Sequence, residues 1–506
     1  MSHRILAGLC LPFLMVAVIS AQTLSLDSCR SMAIRNNKSL RISNLHSEAA
    51  HWQHKSAQSN YYPRLSAVGT YQRTSREMSI LSDEQKTRLS NAGTNISTAA
   101  QQELQQFLQT PEAAALLKAN PQLAALMQES GTSTLINTML NNIGSMVDEA
   151  GQGIVDAFRT DTRNVTAVSL LLTQPIYMGG KIRAYDRITR YAEQIAASKH
   201  DIELQDVIVS VDEAYWRIVA LQSKKQLAAS YLQTVQKLDS DVKKLISEGM
   251  ATKADGLSVQ VKVNEAEVTV IQVDNGLVLA RMALAQLCGM PLNSEFTLTD
   301  EASTELPTPP LTTVDDNAVE TAMNLRPELQ ALELAADVKR EQVKVARSEF
   351  MPNLALTAGY LLTNPNLYNG YDKSFGGMFN VGLVLKVPII TWGDRVYKVR
   401  QARAEALIAE TEFGQAREQI TLQVQQNQQK LQEASQRYQT ALRSQQHADE
   451  NLRMATLGLQ EGVIPVSNVL EAQTAWLSAH ATLVEADIDI RLADLYLRRA
   501  LGSISQ

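Results

Sequence analysis

Residues 166–174 and 379–386 alternate apolar residues with small or polar ones. This period of two predicts β-strands with one apolar face. Similar spacing after Pro63 and Pro352 predicts two further strands. Each segment is about as long as the ~9–11 residues of a tilted strand that crosses a bilayer. A small soluble sheet that caps a helical bundle is the alternative. In the two clearest strands, the positions predicted to contact lipid are Val168, Leu170, Leu172, Val381, Leu383 and Leu385.

The number of strands limits what one chain can build. Four strands are too few to close a membrane barrel, because the smallest such barrels have about eight strands. If the predicted strands span a membrane, several copies of the chain must therefore share one barrel.

The remaining pattern is helical. Residues 181–248 and 394–461 contain no proline, and at about 1.5 Å per residue each segment would form a helix of roughly 100 Å. Residues 28–60 and 255–287 predict helices of about half that length, so two of them placed end to end nearly equal one long helix. Four helical columns would then continue from four strands. This arrangement predicts a helical barrel that is continuous with a strand barrel.

Side-chain spacing within the long helices favours helices packed side by side around a hollow centre over a solid bundle. Leu204, Ile208 and Val211 step by four and then three residues, the spacing of a coiled-coil seam. The second long helix has twelve glutamines between Gln415 and Gln446. This glutamine-rich face is either simply solvated or lines a water-filled bore, where uncharged groups would hold no passing molecule tightly.

The same order of elements occurs twice along the chain. VSLLLTQPIYMGG at residues 168–180 matches VGLVLKVPIITWG at residues 381–393, an offset of 213. We therefore predict a first repeat at 22–289, a Pro-rich equatorial connector at 290–325 and a second repeat at 326–506. Further pairs at the same offset are Pro175 and Pro388, Gly249 and Gly462, and Gly289 and Gly502.

One insertion distinguishes the first repeat from the second. Residues 73–164 separate the first two strands, whereas the matching connection in the second repeat is short. Prolines and glycines punctuate Ala-, Leu- and Gln-rich stretches here, which predicts a mostly helical segment. Because membrane barrels place long connections on the outer side, we predict a helical cap or plug at the cell surface.

The first 21 residues have the pattern of a secretory signal peptide. His3 and Arg4 precede an apolar stretch at residues 5–19, and Ala21 ends a plausible cleavage site. After residue 21 no run of ~18 apolar residues occurs, so we expect no membrane-spanning helix.

Composition and chemistry exclude several function classes. A formal net charge of −6 without a basic stripe argues against nucleic-acid binding. No phosphate loop, nucleophile motif or zinc-spaced cysteine pair occurs, so we predict no enzyme and no cofactor. His51 and His54 share a helix face, but we expect no acidic or cysteine partner and therefore no metal site. Cys29 and Cys288 are expected to be free and packed, with one disulfide as the alternative.

Short motifs at the strand-to-helix junctions and at the glycine turns are more specific than the spacing of hydrophobic residues. They are QPIYMGGK and VPIITWGD where strands lead into helices, the EG turns at 248–249 and 461–462, and LCGMP and LGS where the repeats end. In this combination the mature chain, apart from the insertion, resembles the TolC-like outer-membrane factors of Gram-negative bacteria. The resemblance implies an α+β membrane protein: a homotrimer with four strands per protomer, twelve in all, and a long α-helical barrel continuous with the β-barrel.

The resemblance also implies partners and a function. The partners would be a periplasmic adaptor, or membrane fusion protein, and an inner-membrane pump of the RND, ABC or MFS type, with outer-membrane lipid around the barrel. The predicted function is an outer-membrane export duct that crosses the periplasm and is opened by these partners. The alternative is a structural coiled-coil protein of the envelope without channel activity.

The two glycine turns are predicted to form the periplasmic tip of the duct. Their position in the family implies that they contact the adaptor. The predicted docking residues are Glu248, Gly249, Met250, Glu461, Gly462 and Val463.

The entrance of the duct is predicted to lie just beyond these turns. In the family, residues six and nine positions after the second glycine face the narrowed entrance, which implies gate roles for Asn468 and Glu471. Asp255 occupies the matching place in the first repeat, with helix capping as its alternative role. The polar latch residues of the best-known member are replaced by Ile464 and Leu459, which favours closure through apolar contacts.

Overall fold

The structure is a computed structural model that describes residues 22–75, 81–128, 130–158, 163–302, 317–369 and 373–504. The predicted signal peptide, residues 1–21, lies outside this part of the chain. The fold divides into two compact units. The described residues within Met1–Ser59, Gly179–Met351 and Pro388–Gln506 form the helical unit, and those within Asn60–Met178 and Pro352–Val387 form the sheet unit.

Long helices alternate with short strands along the described chain. In chain order the elements are β1 (Gln22–Leu24), α1 (Leu26–Asn36), α2 (Lys38–Gln58), β2 (Arg64–Arg73), α3 (Asp83–Ser90), α4 (Ala92–Leu108), α5 (Pro111–Ala119), α6 (Pro121–Gln128), α7 (Ser130–Ala157), β3 (Asn164–Met178), α8 (Lys181–Ser247), α9 (Lys253–Leu287), β4 (Phe296–Leu298), α10 (Ala318–Leu325), α11 (Pro327–Ser348), β5 (Asn353–Asn364), β6 (Gly376–Lys386), α12 (Asp394–Gln460) and α13 (Val466–Leu501).

The two longest helices have the same length. α8 and α12 contain 67 residues each, as predicted except that Glu248 and Glu461 cap their C-termini instead of belonging to them. Each helix is followed by a glycine with positive φ, 76° at Gly249 and 70° at Gly462. Glycine adopts this left-handed conformation without the steric cost that a Cβ imposes. The glycines therefore fix where both helices stop.

The prediction of one continuous helix over residues 28–60 is wrong. The helix is interrupted at Asn37, whose ψ is 127°, and the Asn37 side chain accepts a hydrogen bond from the backbone N–H of Ser39. A matching break in the second repeat lies at Arg326, because Pro327 disfavours helical backbone in the residue before it. A capping side chain and a proline thus divide these helices into α1 with α2 and α10 with α11.

An apolar core joins α1, α8 and α9 in the helical unit. Tyr215 and Ile218 of α8 and Leu284 of α9 are fully buried there. Cys29 and Cys288 belong to the same core, and both thiols are free and buried, as expected. Burial of these large side chains is the main force that holds the three helices together.

A short parallel strand pair is a feature that the sequence pattern did not predict. β1 pairs with β4, with Leu24 opposite Leu298. β4 belongs to the predicted connector at 290–325, of which residues 303–316 lie outside the described chain. The start of the first repeat is thereby tied to the connector. The equatorial position of the connector stays a prediction.

The sheet unit contains the four predicted strands in one antiparallel sheet, in the order β2-β3-β5-β6. Leu172 of β3 lies opposite both Leu65 of β2 and Ala358 of β5, and Ala358 lies opposite Val381 of β6. Within the described residues, β2 and β6 each pair with one strand only. Both edges of the sheet are therefore open for pairing.

The insertion is helical in its described part, as predicted, and comprises α3 to α7. α4 and α7 approach closely at glycines, since a Cβ at Gly93 would overlap the carbonyl oxygen of Gly144. Farther along α7, a Cβ at Gly151 would overlap the carbonyl oxygen of Leu89. Asp148 of α7 also accepts a hydrogen bond from the Gly93 N–H at 2.7 Å. One face of α7 is thus fixed against α3 and α4.

The sequence predicted no helix that could span a membrane, but one helix of the described chain differs from this expectation. By length and composition α9 is apolar enough to cross a membrane, and most of its apolar stretch is exposed. The reason is a row of exposed apolar side chains on the helix. These are Leu257, Val261, Val268, Ile271, Val278 and Leu279.

Candidate membrane face, duct tip and entrance

The sheet register gathers the predicted lipid-facing residues on one side. Residues directly opposite one another share a face, and Leu170 lies opposite Tyr360, which lies opposite Phe379. The alternation places Ser169 and Asn380 on the other face. The six predicted residues, all on the apolar face, are Val168, Leu170, Leu172, Val381, Leu383 and Leu385. Their contact with lipid itself stays a prediction.

The two tip turns end on exposed side chains. Glu248 and Glu461 are the exposed C-terminal caps, and Met250 and Val463 are 65% and 79% exposed. A Cβ at Gly249 would meet no atom within 4 Å, so the turn is open to its surroundings. Such turns present apolar and acidic side chains to a partner.

An apolar cluster lies beneath the turns, and we call it the tip cluster. Val242 of α8 and Val259 of α9 pack there with Leu459 of α12 and Val469 of α13. Ile464 packs on Gly458, where a Cβ would press on the Ile464 side chain. Both residues that replace the family's polar latch, Leu459 and Ile464, thus make apolar contacts within the chain.

The predicted gate residues lie at the starts of α9 and α13. Asp255 accepts hydrogen bonds from the Thr252 N–H at 2.9 Å and the Thr252 hydroxyl at 2.6 Å, and the Asp255 N–H donates back to that hydroxyl. The Thr252 hydroxyl lowers the pKa of Asp255. In this capping box Asp255 caps the start of α9, which is the alternative to its predicted role at the gate. Asn468 and Glu471 are exposed on α13, three positions apart.

A family model decides what this architecture is. The model described as outer membrane efflux protein matches residues 121–290 and 318–503, which is more than half of the chain. The chain belongs to the outer membrane efflux protein family. The two matched segments contain α8 with α9 and α12 with α13.

Several members and solved structures of the outer membrane efflux protein type are similar to the chain. It is 23% identical to the outer membrane protein TolC of Vibrio cholerae over 349 residues, 68% of this chain and 78% of that protein. It is 26% identical to the alkaline protease secretion protein AprF of Pseudomonas aeruginosa over 252 residues, 48% and 50% of the two chains. The outer membrane protein VceC of Vibrio cholerae has the same fold, with a TM-score of 0.69 at 17% identity over 94% of this chain and 96% of that one.

Membership of the outer membrane efflux protein family settles the class of function. The chain is an export duct of the outer membrane. The predicted fold class, in which long helices are combined with a few β-strands, is confirmed. The alternative of a coiled-coil protein without a channel is set aside.

A cluster on the helical unit was missed by the sequence analysis. The expectation that His51 and His54 have no acidic partner is wrong, because the Nδ1 atoms of both lie 2.6 Å from the two carboxylate oxygens of Glu193. Nε2 of His54 also lies 3.3 Å from Asp186. Both acidic residues lie on α8, far along the chain, so no local spacing reveals them. The cluster links α2 to α8.

This cluster should make stability depend on pH. The hydrogen bonds from His51 and His54 lower the pKa of Glu193. A carboxylate with a lowered pKa stabilises the fold above its unfolded pKa of about 4.3, and this contribution is lost as the pH falls through the folded pKa. On acidification below about pH 4, the thermal midpoint of the wild type should fall further than that of Glu193→Gln. Glu412→Gln, at an exposed glutamate of α12, should follow the wild type.

Proposed function

We propose that the duct is a homotrimer in which twelve strands, four from each copy, close one outer-membrane barrel. The open sheet is the observation that carries the proposal, because β2 and β6 each have an unpaired edge in the described chain. The four strands alternate in direction, so β6 of one copy runs antiparallel to β2 of the next. A closed ring of copies therefore keeps an antiparallel ladder throughout and removes every edge.

The helical unit supports assembly from several copies. The exposed apolar residues of α9, including Leu257 at 64% and Leu279 at 66%, would meet water in a single chain. Exposed apolar rows of this kind mark surfaces that another protein covers. Neighbouring copies cover them in the trimeric duct.

The duct has no catalytic activity of its own and works with two partners. A periplasmic adaptor docks on the tip turns, and an inner-membrane pump of the RND, ABC or MFS type supplies the energy. The exposure of Met250 and Val463 supports this docking surface. Outer-membrane lipid surrounds the apolar face of the sheet.

Conductance tests this proposal directly. Purified protein should migrate as a heat-modifiable trimer and should open ion-conducting channels in planar bilayers. A trimer without conductance would contradict the duct, and conductance from a single chain would contradict the shared barrel.

The entrance should be a cation filter that depends on Glu471. Three Glu471 carboxylates around one axis would lie within the roughly 8 Å Debye length, so their field is weakly screened. Trivalent lanthanum added from the periplasmic side should block the wild-type channel, and Glu471→Gln should remove that block. Single-channel recording measures both effects. Block that persists unchanged in Glu471→Gln would place the filter elsewhere.

Two further variants define the rest of the entrance. Asp255→Asn should weaken the start of α9 by about 0.3–1 kcal/mol, because it removes the negative charge from the first turn of the helix. A change in lanthanum block in the same variant would add Asp255 to the filter. Asn468→Ala removes no charge and should leave the block by lanthanum in place.

A further inference from the structure

The insertion carries an apolar stripe along α7 that the described chain does not cover. Three of its side chains are among the most exposed apolar residues of the sheet unit: Leu135 at 69%, Met139 at 68% and Met146 at 70%. Ile143 and Ile154 continue the stripe at 49% and 46% exposure. Contiguous apolar surface of this kind indicates a binding surface.

The stripe lies on the side of α7 that faces away from the rest of the insertion. At 3.6 residues per turn, Leu135, Met139 and Met146 fall within about 40° of one another around the helix. Gly144 and Gly151, which fix α7 against α4 and α3, lie about 160–180° from Leu135. The insertion therefore has one face for its own packing and an opposite face for a partner.

The charges on α4 and α7 argue against a lipid surface as this partner. Neither helix contains lysine or arginine, the residues with which interfacial helices bind lipid phosphates. Their charged residues are all acidic, Glu103, Asp148, Glu149 and Asp156. Anionic lipid would be repelled.

The same composition suits a second copy of this chain. When identical helices meet, each residue approaches its own counterpart or a near neighbour, so a charged stripe would repel itself. Leu135, Met139, Ile143 and Met146 are uncharged, and so are the exposed Thr138, Asn142 and Ser145 near them. Exposed Glu149, about 40° from Leu135 around the helix, is the charged residue that borders this part of the stripe, just beyond Met146. Contact between copies over residues 135–146 therefore buries apolar surface without placing like charges together.

The topology brings the copies within reach. The insertion leaves the sheet at the end of β2, an edge strand, and returns into β3, where Arg73 lies opposite Asn164. In the proposed trimer β2 pairs with the neighbouring copy, so the insertions start next to that interface. Three insertions then project from the same end of one barrel.

From this juxtaposition we propose that the α7 stripes of neighbouring copies pack on one another and form a helical cap over the end of the barrel. The inference rests on the proposed trimer and gives the insertion a partner, a second copy of this chain. Docking of stripe on stripe also explains why α7 keeps its apolar side outward.

Cross-linking of cysteine variants tests the cap. In the native trimer, a short bis-maleimide should join Met139→Cys chains and Met146→Cys chains to one another. Asn137→Cys is the matched control, since Asn137 is exposed on the same helix about 160° from Leu135 and should give no linked chains. Cys29 and Cys288 are buried, and the unsubstituted chain serves as their control.

Each other outcome overturns the inference in a distinguishable way. Rapid labelling of Met139→Cys and Met146→Cys by a bulky maleimide, without cross-links and with trimer and conductance intact, would show a stripe exposed to water. Slow labelling without cross-links, with quenching of an attached probe by lipid-borne nitroxide, would show a stripe in lipid. A wild-type sample without trimer or conductance would overturn the proposed function and this inference with it.

Discussion

Replacing Leu170 and Leu383 together with arginine should eliminate the heat-modifiable trimer from the outer membrane. Both residues lie on the apolar face of the sheet, 40% and 65% exposed in the single chain. An arginine on the lipid face near the bilayer midplane costs about 2–4 kcal/mol, and a trimer would carry six of them. Membrane fractionation followed by electrophoresis of unheated and heated samples measures the loss.

The opposite face of the same strands provides the control. Ser169→Arg and Asn380→Arg introduce the same charges on β3 and β6, but on the opposite face of the sheet, which would line the bore of the proposed barrel. This variant should still yield trimers, with altered ion selectivity in planar bilayers. Equal trimer recovery from both double variants would show that the apolar face does not meet lipid.

Replacing Gly249 and Gly462 with tryptophan should abolish export while the trimer survives. Both glycines have left-handed backbone, which costs a residue with a Cβ roughly 1–2 kcal/mol, and both lie in exposed turns. The strain and the indole rings would deform the surface that the adaptor contacts. Export should fall to the level of cells without the duct, measured beside trimer recovery.

Asparagine variants are the control, because they keep the backbone geometry of the turns without adding a bulky side chain. Gly249→Asn and Gly462→Asn should retain export, because asparagine tolerates the left-handed conformation and adds little bulk. Normal export by the tryptophan double variant would exclude the turns as the docking surface.

The spacing of hydrophobic residues along the sequence was sufficient to predict much of this fold. Alternation placed Leu170 and Leu383 on one sheet face, and the register confirms it. The left-handed glycines Gly249 and Gly462 marked the ends of both long helices to within one residue. These signals are local, since they depend on backbone geometry and on neighbours one turn away.

Features that depend on distant residues were missed. The break at Asn37 follows from a side-chain cap that competes with a helical pattern, and a window of apolar spacing does not detect it. The contacts of His51 and His54 with Glu193 join residues far apart in the chain. For the candidate site, the Thr252 and Asp255 capping pattern is readable in the sequence, whereas the place of Glu471 in a ring depends on other copies.

The equal lengths of α8 and α12, 67 residues each, act as a molecular ruler. A helix rises about 1.5 Å per residue, so loss of one heptad from α8 alone would draw its turn back by roughly 10 Å relative to the turn of α12. A partner that must grip both turns at once would lose half of its contacts. Ducts of this architecture can therefore lengthen or shorten in evolution only by matched changes in both repeats, and a duct engineered for a wider periplasm needs the same heptads added twice.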